Sequence, residues 1–158
     1  MRVDQIMTRQ IRTCRQDDSL DRAAQLMWDH DCGCLPVVSG DGATRIDGLI
    51  TDRDICMCAL FEGKPLHNLR VGQAMGKRVH ACRPADTLGV AERAMAEARV
   101  RRLPVLDEHG ALVGMISLAD LAREAARETT SPRQEIMGSE IGDTLAAICR
   151  PVLSARTG

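Results

Sequence analysis

The sequence predicts an α/β fold (α+β in the grouping of its elements) made of two copies of one βαβ-type repeat, packed with pseudo-two-fold symmetry. Three observations predict it. Sliding the chain by 68 residues lines up its two halves. Each half carries an apolar pattern of helical period, followed by short runs rich in β-branched residues. Turn residues separate those runs at the same place in both halves.

The self-similarity runs the length of the repeat. Val3, Gln5 and Met7 fall on Val71, Gln73 and Met75, and Cys14-Arg15 falls on Cys82-Arg83. Asp18 and Leu20 meet Asp86 and Leu88, and Ala23 and Met27 meet Ala91 and Met95. Leu35-Pro36-Val37 matches Leu103-Pro104-Val105. Beyond the turn the offset falls to 66: Gly48-Leu49-Ile50-Thr51 meets Gly114-Met115-Ile116-Ser117, and Asp54 meets Asp120. One two-residue indel inside a turn leaves everything else in order.

Each copy opens on a short segment (residues 3–7 and 71–75), then an extended stretch near residues 11–14 or 79–82. Asp18-Ser19 and Asp86-Thr87 offer N-caps for a helix carrying Leu20, Ala23, Ala24 and Met27, or Leu88, Ala91 and Met95. Leu35-Pro36-Val37-Val38 reads as a strand, its Pro acceptable near a strand start or at an edge. Gly40-Asp41-Gly42 and Glu108-His109-Gly110 turn the chain into a hairpin. The returning strand holds Gly48-Leu49-Ile50, or residues 113–116, and Thr51 or Ser117 caps a second helix beginning at Asp52 or Leu118. A repeat of this size buries its apolar face poorly alone, so two should pack together. The expected boundaries are 1–61 and 68–127 for the repeats, which form one module, and 128–158 for a tail. In that tail Ile141, Leu145 and Ile148 fit a short amphipathic helix before Pro151.

Composition narrows the functional classes. The 158 residues are 44% hydrophobic and 27% charged, with a formal net charge of -1. That balance is globular and offers no bulk attraction to nucleic acid or an anionic membrane. One Trp, one Phe and no Tyr leave no aromatic platform for stacking bases. No apolar run reaches membrane-spanning length, and the start lacks signal-peptide layout, so a cytoplasmic location is expected. Seven Cys, an odd number, argue against a closed disulfide framework and for reduced thiols. No phosphate loop or nucleophile elbow occurs, so no catalytic residue is assigned and the chain is not expected to be an enzyme.

Thr51 and Asp54 sit where a strand meets the first turn of a helix. Free N–H groups and the helix dipole favour an anion there. The hydroxyl suits a phosphate oxygen, the carboxylate suits hydroxyl donors, and Arg53 between them suits phosphate charge. Ser117 and Asp120 repeat the pattern without the cation. The same four residues also make capping boxes, and on spacing alone that reading is the stronger. Cys32-Gly33-Cys34 near His30 lacks the spacing of a structural zinc site, and no metal is assigned. Cys14 and Cys82 are repeat equivalents, which favours packing.

Met7, Leu35-Pro36-Val37-Val38 and Gly48-Leu49-Ile50-Thr51-Asp52-Arg53-Asp54 together resemble a CBS domain. So do Met75, Leu103-Pro104-Val105-Leu106 and Gly114-Met115-Ile116-Ser117-Leu118-Ala119-Asp120. The ending, from Ala147 to Leu153, is loosely similar to that of actinobacterial hypoxic-response CBS proteins. The resemblance implies two β-α-β-β-α repeats, two clefts, and a homodimer formed through the repeat helices. It implies an adenosine-containing ligand (AMP, ADP, ATP or S-adenosylmethionine) and no required cofactor. It also implies a regulatory output passed to an unknown effector protein. Thr51 or Ser117 would meet phosphate and Asp54 or Asp120 the ribose. Asp54 and Arg53 would share a cleft with Val79, His80, Ala81, Val100 and Arg101; Asp120 would share one with Ile11, Arg12, Thr13 and Cys32. The alternatives are a ligand-free dimeric stress or interaction protein, or a redox- or metal-responsive module using Cys32, Cys34 or Cys149.

Overall fold

A computed structural model describes residues 1–39, 45–128 and 136–150. Helix α1 (Leu20–Asp29) leads to strand β1 (Cys34–Ser39), strand β2 (Arg45–Thr51) and helix α2 (Asp52–Glu62). Gly63 ends α2 in the left-handed conformation, φ 62°, that a residue without a Cβ adopts freely. After the one-turn helix α3 (Val71–Ala74) the order repeats: α4 (Leu88–Ala98), β3 (Arg102–Leu106), β4 (Leu112–Ser117) and α5 (Leu118–Glu128). The tail contributes helix α6 (Gly138–Ile148). β1 pairs with β2 and β3 with β4, each pair a separate sheet. The first pair is antiparallel, Leu35 opposite Ile50 and Pro36 opposite Leu49, with a register shift between Val37 and Val38. The turn residues Gly40-Asp41-Gly42, and Pro151 beyond α6, lie outside the described residues.

The chain's contacts divide it into two compact units, one of residues 9–79 and 106–114, the other of residues 1–8, 80–105 and 115 onward. In the first, Leu20, Ala23 and Met27 of α1 pack with Leu35, Val37, Ile50 and Ile55. Val71 and Met75 join that core, and the N–H groups of Val71 and Gly72 donate to Asp18 O and Gln16 O at 2.9 Å. In the second unit Leu88, Ala91, Met95, Leu103, Val105 and Ile116 are buried, and Val3 and Met7 are buried too. There Val3 N donates to Asp86 O (2.9 Å) and Asp4 N to Pro84 O (3.0 Å). The opening segment of each repeat is therefore bonded to the body of the other repeat, with the same hydrogen-bond pattern both times.

Three expectations are sharpened here. The stretches at residues 11–14 and 79–82 run beside a strand, as expected of extended chain. Each makes a single parallel bridge, Cys14 to Val37 and Cys82 to Val105. Ser19 and Thr87 do occupy the N-cap positions but make no side-chain cap hydrogen bond. The first helical N–H is already satisfied by backbone: Leu20 N by Leu69 O (3.0 Å), Leu88 N by Met1 O (3.3 Å). Asp18 and Asp86 close the preceding turn, accepting from Arg15 N (2.8 Å) and Arg83 N (2.7 Å). Third, α6 buries Thr144, while Leu145 of the expected apolar stripe is 43% exposed. α6 lies against both α4 and α5, so positions 141, 144 and 148 face inward and 145 does not.

Candidate functional site

The candidate residues gather at the N-termini of α2 and α5, where sheet and helix join without an intervening loop. At α2, Thr51 N donates to Asp54 Oδ2 (2.9 Å) and Thr51 Oγ1 donates to the same oxygen (2.7 Å). Asp54 N donates back to Thr51 Oγ1 (3.2 Å). At α5 the arrangement repeats: Ser117 N and Oγ donate to Asp120 Oδ2 at 2.8 and 2.6 Å, and Asp120 N donates to Ser117 Oγ at 3.2 Å. Both are complete capping boxes.

This geometry corrects one sequence expectation. The first N–H groups of α2 are not free for a phosphate. Asp52 N donates to Gly33 O (3.3 Å), Arg53 N to Asp52 Oδ1 (2.7 Å) and Asp54 N to Thr51. At α5, Leu118 N donates to Arg101 O (2.8 Å). The Thr51 and Ser117 hydroxyl protons are also committed. An anion here must be met by a side-chain cation instead.

The two boxes differ in what they leave open. Asp120 Oδ1 is held by the Arg123 guanidinium one turn along α5. Met57 stands at that place in α2, and among the described residues nothing hydrogen-bonds Asp54 Oδ1. Arg53 is exposed and makes no ion pair among the described residues, whereas Ala119 holds its place in the second copy. Asp54 and Asp120 are both half-buried.

The remaining candidates fall into the two units. Ile11, Thr13, Cys32 and Val79 are half-buried and Arg12 exposed in the unit that holds Asp54. His80 and Val100 are half-buried, and Ala81 and Arg101 exposed, in the unit that holds Asp120. Within each unit the loop before the first strand abuts the second helix: Gly33 touches α2, and Arg101 touches α5. Cys32 lines an open depression of about 350 Å³ with Trp28, Asp31, Gly33, Asp52 and Ile55. Sequence reasoning picked only Cys32 of these, because the depression forms where the end of α1 meets the start of α2.

The cysteines separate by environment. Cys14 and Cys82 are buried, and each thiol points at a strand carbonyl, Pro36 O or Pro104 O, at 3.9 Å. Burial, reinforced by Asp18 and Asp86 respectively, pushes both thiols up to about 12. Cys34 is buried, Cys32 and Cys58 half-buried, and Cys56 and Cys149 exposed. Among the described residues no group of three or more His, Cys, Asp or Glu side chains is placed to hold a metal ion. None of their helices is long and apolar enough to cross a membrane.

Comparison with known proteins gives a consistent picture. The family model described as CBS domain matches residues 3–59 and again 71–127. The CBS domain-containing protein YhcV of Bacillus subtilis is 34% identical over 120 residues, 76% of this chain and 82% of that protein. Hypoxic response protein 1 of Mycobacterium tuberculosis is 33% identical over 118 residues, 75% and 80% of the two chains. Among solved structures, a signal-transduction protein with CBS domains from Burkholderia ambifaria superposes with a TM-score of 0.73 at 30% identity, over 84% of this chain and all of that one. Hypoxic Response Protein I, solved with two coordinated zinc ions, gives 0.68 at 30% identity, over 78% and 98%. CBSX2 in complex with AMP gives 0.68 at 26% identity, over 80% and 96%.

Proposed function

Because this chain belongs to the CBS-domain family as a tandem pair, we propose that it is a regulatory module, not an enzyme, that binds an adenosine-containing nucleotide at the Thr51–Asp54 end of α2. One observation carries the reading. Asp54 holds its helix cap with one carboxylate oxygen, and among the described residues nothing hydrogen-bonds the other or pairs with the neighbouring Arg53. A half-buried carboxylate oxygen in that state suits the two hydroxyls of a ribose, and the guanidinium suits a phosphate. The related CBSX2 was solved with AMP, which supports the ligand class.

The candidate ligands are AMP, ADP, ATP and S-adenosylmethionine. The finer residue assignments rest on the family resemblance alone. The Asp120 end is the weaker site in this reading, since Arg123 already occupies its second oxygen. A cytoplasmic location, a homodimer formed through the repeat helices and a separate effector protein complete the proposal.

Thermal shift with each of the four ligands tests it. A ligand at about a hundred times its Kd adds about 2.7 kcal/mol to a fold it binds only in the native state. For a chain of this size that raises Tm by roughly 5–10 °C. No rise with any of the four sinks the proposal. That outcome favours the second reading, a ligand-free dimeric stress or interaction protein, which the closed capping boxes support.

A further inference from the structure

The end of α1 and the start of α2 border an open depression of about 350 Å³ in the first repeat. That volume is at the lower end of the range for small-molecule sites, about 300–1,000 Å³. Ala24, Met27 and Ile55 give it an apolar lining, and Trp28, 85% exposed, stands at its side. Asp31 and Asp52, both exposed, bring two carboxylates to the same lining. Neither makes an ion pair among the described residues. Thr51 and Asp54 are not among the described residues that line it, so it is distinct from the site proposed above.

Backbone geometry sets both carboxylates in place. Helix α1 closes with Cys32 N donating to Met27 O (3.0 Å), a turn that puts residue 31 in the left-handed conformation, φ 48°. Glycine is the usual residue there, and this chain carries Asp. Asp52 lies against Gly33: a Cβ at residue 33 would meet its Oδ2 at 3.0 Å, while its Oδ1 accepts from Arg53 N (2.7 Å). The second repeat keeps the backbone and drops the chemistry. Arg99 takes the same left-handed turn, φ 55°, with Val100 N donating to Met95 O (3.0 Å). There Ala96 replaces Trp28, Arg99 replaces Asp31 and Leu118 replaces Asp52. The turn therefore requires neither the indole nor the carboxylates. An aromatic face and two carboxylates around an apolar lining are complementary to an ammonium group on a small apolar body. The ring quadrupole and the carboxylates attract the same sign of charge, and the lining accepts methyl or methylene groups.

We propose that this depression of the first repeat binds a small organic cation, with Trp28 against its ammonium group and Asp31 and Asp52 supplying the opposite charge. Exposed carboxylates give only screened attraction, so the affinity is modest, with a Kd of about a millimolar. Trp28, Asp31 and Asp52 have no part in the nucleotide reading, so the two fail separately.

Trp28 is the chain's one tryptophan, so its emission reports the site directly. Choline chloride is titrated into the full chain against sodium chloride at equal ionic strength. The second probe is the dimethylbutanol in which carbon replaces the ammonium nitrogen of choline. Choline is expected to change the emission saturably, with half-saturation at about a millimolar, and to raise Tm at saturation. The alcohol should bind about fivefold more weakly or worse. Asp31→Asn/Asp52→Asn removes both charges and keeps the side-chain shapes, and Asn also tolerates the left-handed turn. It is expected to melt with the wild type and to bind choline about fivefold more weakly or worse. Neither a saturable emission change nor a rise in Tm with choline overturns the site. An equal response to the alcohol, or equal choline binding by the double variant, overturns recognition of the charge. Emission that shifts on dilution of the protein and not with choline gives the depression to a second copy of the chain, and overturns the proposal too.

Discussion

Asp54 and Asp120 show how one residue in the same local geometry is left in two different states. Each holds a capping box of the same shape, and the difference lies one turn along the helix, in Met57 against Arg123. Removing a capping side chain costs about 1 kcal/mol. Asp54→Ala and Asp120→Ala should thus lower stability by similar amounts, measured by urea denaturation. The cysteines show the same dependence on surroundings. With Cys14 and Cys82 pushed up to about 12 by burial, neither forms thiolate near neutral pH. Maleimide at about pH 8 should label Cys56 and Cys149 within minutes and leave Cys14 and Cys82 unlabelled until denaturant is added. Early labelling of Cys14 or Cys82, read by mass spectrometry, contradicts that assignment.

At the scale of elements, two contacts are exacting. Gly48 lies where β2 meets the backbone at Gly76, and a Cβ there would come within 2.5 Å of Gly76 O. The bridge it permits carries two hydrogen bonds, Leu49 N to Gly76 O (3.0 Å) and Gly76 N to Leu49 O (2.8 Å). Gly48→Ala should cost about 1–3 kcal/mol, seen as a lower Tm. The second contact is the docking of α6. Glu92 of α4 is buried, and its Oε1 has no hydrogen-bond partner among the described residues. Burial first, and Glu140 of α6 second, hold its carboxyl above the ordinary range, with Arg93 opposing them. A carboxyl raised by folding favours the native state while it is protonated. That contribution is present at low pH and is lost as pH rises through the raised value. From about pH 4 upward, amide exchange over α6 should therefore quicken, and Glu92→Gln should flatten the trend. Exchange with the same pH dependence in Glu92→Gln and wild type contradicts it. α6 was legible in the sequence as a helix but not in its facing. Ile141, Leu145 and Ile148 fit an apolar stripe, yet a helix laid across two others buries Thr144, which no apolar pattern marks.

For the whole molecule, the repeat carried most of what the sequence could say. Order, strand pairing and the two helix starts follow from matches such as Leu35-Pro36-Val37 with Leu103-Pro104-Val105, because identical short-range signals fold alike twice. What the repeat hid was its exchange. Val3 and Val71 are each wholly buried, but each in the unit built on the other repeat's body. Local propensity says where a segment bends and not which neighbour it joins. Val3→Asp and Val71→Asp should therefore be equally damaging, about 3 kcal/mol or more each, since either buries an unpaired carboxylate. A mild effect of one and a severe effect of the other, in thermal melts followed by circular dichroism, contradicts the symmetry. The capping boxes were legible from spacing: Thr51 with Asp54 and Ser117 with Asp120 bond as a hydroxyl and a carboxylate three residues apart should, and Asp54 N and Asp120 N are taken up in them.

In the proposed reading Asp54, more than its repeat equivalent, receives the nucleotide. Asparagine keeps a cap acceptor and the fold while removing the carboxylate charge, so isothermal titration of AMP into wild type, Asp54→Asn and Asp120→Asn isolates it. Saturable heat is expected for wild type and Asp120→Asn, with binding at least tenfold weaker in Asp54→Asn. Equal binding by Asp54→Asn and wild type, or a loss confined to Asp120→Asn, contradicts the account.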